Sequence, residues 1–360
     1  MAPGLRSLLS GVTAAAVLAG ALNAHEGRAV TMPNLYRVSV TPDATVADQR
    51  TAAIKAAMAR VLIHVTGDRN APFDPALQSM LADAGKYLNS YGLDRQGQAQ
   101  VGFNATQVDQ ALAALQKPVW GPERPLTLLW IAVDDGAGGR ALLGANDTPQ
   151  FGLEATTPGM TERLAAVRKD LFAVADERGL PVTLPLLDVE DLGTVTFADV
   201  WGGFEDRVAA ASVRYRADAI LIGRVRPGLI GNEIEWLLVV GGERQLLAGL
   251  ELRDGLDAAA DRFAGQFGTF GGGAAAITVL NVRSSADYGR VVSYLEQQSV
   301  LQSVDVDSFD NGVLNLRVTA RGDAGVLARI LALGGVLKPT VGDRPNGALV
   351  FEIARSGVGQ

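Results

Sequence analysis

The residues best placed to do chemistry in this chain are acidic. Asp188, Glu190 and Asp191 follow the apolar run PVTLPLLD, Asp199 comes eight residues after Asp191, and Trp201 stands beside Gly202-Gly203. Paired carboxylates can share a proton for acid–base work or hold a cation. Ligands of α/β sheets bind beyond the carboxyl ends of strands, which is where this group falls. The commoner use of such residues is a solvated loop in which an Asp caps a helix by accepting from the free amides of its first turn. Asp188, Asp191, Asp199 and Trp201 are therefore a candidate ligand-binding set, and no residue is assigned a catalytic role. His64, in ARVLIHVTGDRNAP, has Asp68 and Arg69 close behind it and could in principle act as a base. Ile63 and Val65 flank it, Arg60 lies one turn back, and a histidine at a helix end meets the carbonyl dipole favourably. A structural role is expected.

Other constellations fail on composition. The only other histidine is His25 and cysteine is absent, so the three or four ligands of a zinc site are missing. GAGGRALLG (136–144) has its glycines in the wrong frame for a dinucleotide fingerprint and does not open a helix; it reads as a hairpin turn. In VDVDSFDNG, Phe309 and Leu316 occupy positions where a calcium loop needs oxygen ligands. Neither a metal nor a cofactor is expected.

The elements that must position these residues follow from periodicity. LYRVSV reads as a strand, and Ile54, Ala57, Met58, Val61, Leu62 and Val65 recur at helical spacing behind a cap at Asp43 or Thr45, with Gly67 as the stop. DPALQSMLADAGKYLNSYG reads as a second helix, capped by Asp74 and ended by Gly92. A strand (98–103) and a short helix (106–115) complete an α+β unit over 30–118, bounded by KPVWGPERP. The alternation LTLLWIAVDD, TERLAAVRKDLFAVADERG, PVTLPLLD, GFEDRVAAASVRYRAD, AILIGRV predicts a central three-layer α/β domain over 119–268. Its antiparallel edge is the hairpin NEIEWLLVVGGERQLLAGLEL, followed by a closing helix in LRDGLDAAADRFAGQFG. Residues 269–276 read as a Gly/Ala linker. Beyond it, 277–356 shows the β-α-β-β-α-β order of a ferredoxin-like split βαβ domain, with its hairpin around Asn311-Gly312. The fold class expected is thus multidomain, α/β and α+β.

The chain opens with one cation, Arg6, ahead of an Ala-rich apolar stretch from Leu8 to Leu22, the pattern of a signal peptide over residues 1–24. Cleavage after Ala21 puts Ala19 at the −3 position and cleavage after Ala24 puts Leu22 there; both stay open. The stretch is shorter than the roughly 20 residues a membrane span needs, although retention as an anchor is the alternative. Export without cysteines points to a bacterial periplasm, because a secreted eukaryotic chain of this size would carry disulfides. The net charge of −7 becomes one unit more negative once Arg6 is removed, which disfavours nucleic acid as a partner. Envelope proteins are the partners expected, and a periplasmic small-ligand binder or hydrolase using residues 188–203 is the competing reading.

LYRVSV, AAIKAAMARVLIHVTGDRNAP, KYLNSYG and ADAILIGRV followed by a tryptophan resemble the bacterial domain of unknown function 2066 family over the whole mature chain. That resemblance implies export in proteobacteria and no known activity. The stretch from ADAILIGRVRPG to DRFAGQF is also similar in outline to envelope domains of curli-secretion, penicillin-binding-protein-activator and Tol-translocation proteins, which bind protein partners.

Overall fold

A computed structural model describes residues 30–146, 153–155, 157–228, 232–249, 251–340 and 348–354; the expected leader lies outside them. It shows a mixed helix–sheet protein, with four sheets and ten α-helices among the described residues.

The first unit holds β1 (Val30–Thr31), β2 (Arg37–Val40), α1 (Gln49–Thr66), α2 (Gln78–Ala82), β3 (Leu88–Leu93), β4 (Ala99–Phe103) and α3 (Ala105–Ala114). Strands β2 and β3 both pair antiparallel with β4. The stripe Ile54, Ala57, Met58, Val61, Leu62 and Val65 buries α1 against this sheet. The helix starts later than expected. Asp48 is the cap, accepting from the Thr51 amide at 3.0 Å, while Asp43 is spent on a local turn with Thr45. The single helix expected over DPALQSMLADAGKYLNSYG does not form. Asp74 caps a 3-10 turn at 75–77, α2 is short, and Gly92 lies inside β3 rather than at a helix end. Asn89, Ser90, Tyr91 and Gly92 are weak helix formers, and pairing with β4 satisfies their backbone instead.

The central sheet begins after β5 (Glu123–Arg124), which returns to pair with β1. It comprises β6 (Thr127–Asp134), β7 (Arg140–Leu142), β8 (Leu153–Ala155), then after α4 (Met160–Arg178) the two-residue β9 (Val182–Thr183). Helices α5 (Val189–Thr194), α6 (Phe197–Gly202) and α7 (Glu205–Ser212) precede β10 (Ala219–Pro227), β11 (Asn232–Val240) and β12 (Glu243–Gly249), and α8 (Arg253–Phe267) closes the unit. The order is β12-β11-β10-β6-β7-β8, with β9 beside β6; β10 and β6 run parallel and β10-β11-β12 is an antiparallel meander. The expected hairpins at 136–144 and at Gly241-Gly242 are present. The strand expected over 181–188 shrinks to β9, since Pro181 and Pro185 have no N–H to give a ladder. One face of the sheet packs on α4 and α8. The other carries Leu128, Trp130, Ala132 and Ile222 under Val195, Phe197, Val200 and Val208 of the α5–α7 layer.

The last sheet is built from β13 (Gly272–Leu280), β14 (Leu301–Asp310), β15 (Val313–Arg321), β16 (Leu337–Pro339) and β17 (Leu349–Ile353), with α9 (Ser285–Glu296) and α10 (Ala324–Leu333) on one side. Two expectations need correction here. Residues 272–276 of the expected 269–276 linker are the first half of β13, hydrogen-bonded to Arg321–Arg317 of β15. At Gly272 the backbones come close, since a Cβ there would stand 2.6 Å from the Ala320 carbonyl oxygen, whereas one on Gly273 would meet nothing within 4 Å. The ferredoxin-like order also changes. The sheet runs β14-β15-β13-β17-β16, and ALVFEIA (β17) is parallel to β13. The extra strand β16 comes between α10 and β17 and pairs antiparallel with β17 at the sheet edge, so the chain turns back once more than a split βαβ unit allows. The inner faces of this sheet and of the central sheet contribute to one continuous apolar core, in which Leu256, Ala260 and Phe263 of α8 join Ile277, Leu316, Leu327 and Phe351.

Among the described residues no helix is long and apolar enough to cross a membrane.

Candidate functional site

The acidic group after β9 is built as a clasp. Asp188 is the N-cap of α5, accepting from the amides of Glu190 and Asp191 at 3.2 and 3.1 Å. Its two oxygens also take a bidentate grip from Arg214, at 2.7 and 2.9 Å. Hydrogen bonds from the guanidinium and the helix amides bring the Asp188 carboxyl down to about 2. Asp191 is buried and accepts from the Leu187 amide at 2.9 Å, from Tyr215 Oη at 2.5 Å and from Arg214 at 3.2 Å. Burial and the bond to Asp191 push the Tyr215 hydroxyl well above its ordinary range. Asp199 belongs to a separate device. It forms a reciprocal capping box with Thr196 at the start of α6, with Arg207 at 3.3 Å. Burial raises its carboxyl, but the Thr196 amide and hydroxyl and the Arg207 charge outweigh that, and the net shift is downward.

The structure therefore brings Asp188 and Asp191 together on Arg214 and leaves Asp199 on another helix with its own partners. Exposed apolar side chains border the clasp, beside the exposed carboxylate of Glu190, which lies 3.5 Å from Arg214. Leu186, Val189 and Val213, each next to or two residues from a clasp member, are 46%, 82% and 54% exposed. Arg214 and Tyr215 were not singled out from sequence; an RY pair at the end of a helical pattern gives no sign that it folds back onto a cap 26 residues earlier.

Trp201 lies elsewhere, stacked on Phe197 with ring centroids 5.3 Å apart. Together with Arg224, Arg226, Glu233, Ile234, Glu235 and Gly249 it lines a cavity of about 280 Å³. This cavity sits at the carboxyl end of β10, which runs parallel to β6 and β9, as the general rule for such sheets requires. Strand register sets Arg224 opposite Glu235 and Arg226 opposite Glu233, and both pairs bond, at 3.0 and 2.7 Å. Among the described lining residues the three aspartates of the candidate set do not appear.

The HVTGDR turn has a third role. Gly67 ends α1 in the left-handed region, and a Cβ there would overlap the Cβ of Ala264 on α8 and stand 3.0 Å from the Trp120 ring. His64 is buried rather than a helix-end cation. Its Nδ1 faces the Leu35 carbonyl at 3.4 Å, and burial together with the nearby Arg124 charge depresses its pKa. The dipole argument does not apply to a ring held neutral in this way. Arg124, fully buried, donates to the carbonyls of His64, Trp120, Gly121 and Gly179 at 2.5–2.9 Å and lies 3.9 Å over the Trp120 ring. Arg178, also fully buried, donates to the Gly67 carbonyl and to Asp257 and Asp261. Arg321 reaches from the last sheet to Asp109, which also accepts from Tyr36. These arginines join the first unit to both others.

The family model described as a domain of unknown function (DUF8605) matches residues 29–121. This corrects the expected membership of the domain of unknown function 2066 family: LYRVSV, the first helix with its turn, and KYLNSYG fall in the span of a different family. No curated protein and no solved structure gives a match to the chain. The similarity covers well under half of the chain.

Proposed function

We propose that this is an exported periplasmic protein without enzymatic activity, whose three units, over 30–118, over 119–268 and from β13 at Gly272 onward, present a surface for docking other envelope proteins. The observation that carries the proposal is the α5 clasp. Exposed Leu186, Val189 and Val213 surround Arg214 and Tyr215, which Asp188 and Asp191 hold in fixed positions. Apolar side chains grouped with an ordered Arg and Tyr are the composition of protein interface centres. Preordering by the clasp lowers the entropy lost on docking. The same fixing argues against acid–base chemistry by these aspartates, because each oxygen partner is a cap amide, a phenol or a guanidinium of the chain itself. The leader sequence and the absence of cysteine support the periplasmic address.

The test is site-specific photocrosslinking in intact cells, with a benzoylphenylalanine at position 189 or 213 and a control at Lys169 on the exposed side of α4. The proposal expects a discrete adduct with an envelope protein from 189 and 213 and none from 169. Identical adducts from all three positions, or none from 189 and 213, overturn it.

A further inference from the structure

We propose that the cavity at Trp201 is a second, separate site that binds a zwitterionic α-amino acid with an aromatic side chain. Its floor is the exposed end of the β10–β11 pair. Arg224 and Arg226 are two residues apart on one strand and Glu233 and Glu235 two apart on the next, so all four side chains leave the same face. The result is a row of two positive charges beside a row of two negative ones, one strand spacing away. A simple anion placed over the arginines would lie close to both glutamates, and a simple cation over the glutamates close to both arginines. In either case the opposite row cancels most of the attraction. A molecule with an ammonium and a carboxylate on one carbon matches both rows at once.

The wall supplies the third contact. One face of Trp201 stacks on Phe197, and the indole borders the cavity. Arg224 is held in place beneath the turn after α6, since a Cβ on Gly203 would stand 2.5 Å from its guanidinium. A planar side chain laid on the indole would have the offset stacking that aromatic pairs prefer. The volume of about 280 Å³ is at the small end of ligand pockets, the size of one amino acid rather than a longer peptide. The charged walls are partly exposed, with side-chain exposures between 27% and 56%, so binding is expected to be weak and rapid.

The protein carries its own reporter. Of its four tryptophans, Trp120, Trp130 and Trp236 are fully buried and only Trp201 reaches solvent. Emission excited at the indole edge should respond to phenylalanine, which does not absorb there. The probes are phenylalanine, N-acetylphenylalanine (anion only) and phenylalanine amide (cation), each titrated to about 10 mM, a decade past a millimolar dissociation constant. The expected result is a saturable change with phenylalanine, at least tenfold weaker with either analogue and absent from Trp201→Phe. In the exposed pair Glu233→Gln/Glu235→Gln, phenylalanine should weaken by tenfold or more while N-acetylphenylalanine strengthens. No saturation with phenylalanine, equal response to all three probes, or a response that survives Trp201→Phe overturns the proposal. The analogue series on the native protein decides the matter even if the double variant does not fold.

Discussion

Gly67→Ala probes the joint between the first unit and α8, and Gly97→Ala is its matched control. Both glycines have left-handed backbones, at φ +70° and +77°. Both substitutions therefore carry the same backbone term, about 1 kcal/mol for an L-residue placed there. They differ in surroundings. A methyl on Gly97 meets nothing within 4 Å, whereas one on Gly67 overlaps Ala264 and presses on Trp120. Forcing a methyl into packed surroundings costs about 1–3 kcal/mol. The expected total is about 2–4 kcal/mol for Gly67→Ala against about 1 for Gly97→Ala. Urea denaturation followed by tryptophan emission measures both, and Trp120 lies at the affected contact. If α1 and α8 are packed as described, Gly67→Ala should also shift the Trp120 environment before global unfolding. Equal destabilisation by the two substitutions would refute the reasoning, because it would mean that the methyl meets no resistance at the joint.

Three further outcomes follow from the same geometry. Arg124→Met should destabilise by more than about 3 kcal/mol in denaturant titration, since four carbonyls lose their donor in a buried site, and Arg124→Lys should not restore it because one ammonium cannot reproduce the guanidinium fork. Burial raises the Asp218 carboxyl to about 6 in the folded chain, against 3.8 ordinarily. The protonated form is thus favoured by folding, so its contribution is complete below about pH 4 and is lost as pH rises through about 6. Asp218→Asn keeps an acceptor for the Leu126 amide and should gain up to about 3 kcal/mol relative to the native chain between pH 4 and 7 in pH-dependent unfolding. Asp188→Asn should leave the fold intact yet weaken the grip on Arg214, seen as faster hydrogen exchange at the 189–192 amides.

Much of the fold was legible because burial was written in local periodicity. The α1 stripe, the buried strands β6 and β10 and the two hairpins each announce themselves within a window of about ten residues. The misread segments are those where long-range pairing overrides local composition. Ala274, Ala275 and Ala276 have the composition of a linker and become strand only because β15 lies beside them. Residues 88–93 could extend a helix and instead pair with β4. In the candidate sites the legible part was residue type, and the illegible part was who meets whom. Asp188 was visible as a cap, but its grip by Arg214 depends on how α5 and α7 pack. The Arg224-x-Arg226 and Glu233-x-Glu235 pairs did carry a signal, since period-two charges on adjoining strands must share a face. Arg124 and Arg178 gave none, because a buried arginine looks like any surface arginine until the carbonyls around it are placed.

The most direct test of the account is the photocrosslinked adduct at position 189, compared between the full chain and one lacking residues 1–24. The account predicts an adduct with one envelope protein that requires the leader and is diminished by Arg214→Ala. An unchanged adduct without the leader, or one indifferent to Arg214, would contradict it.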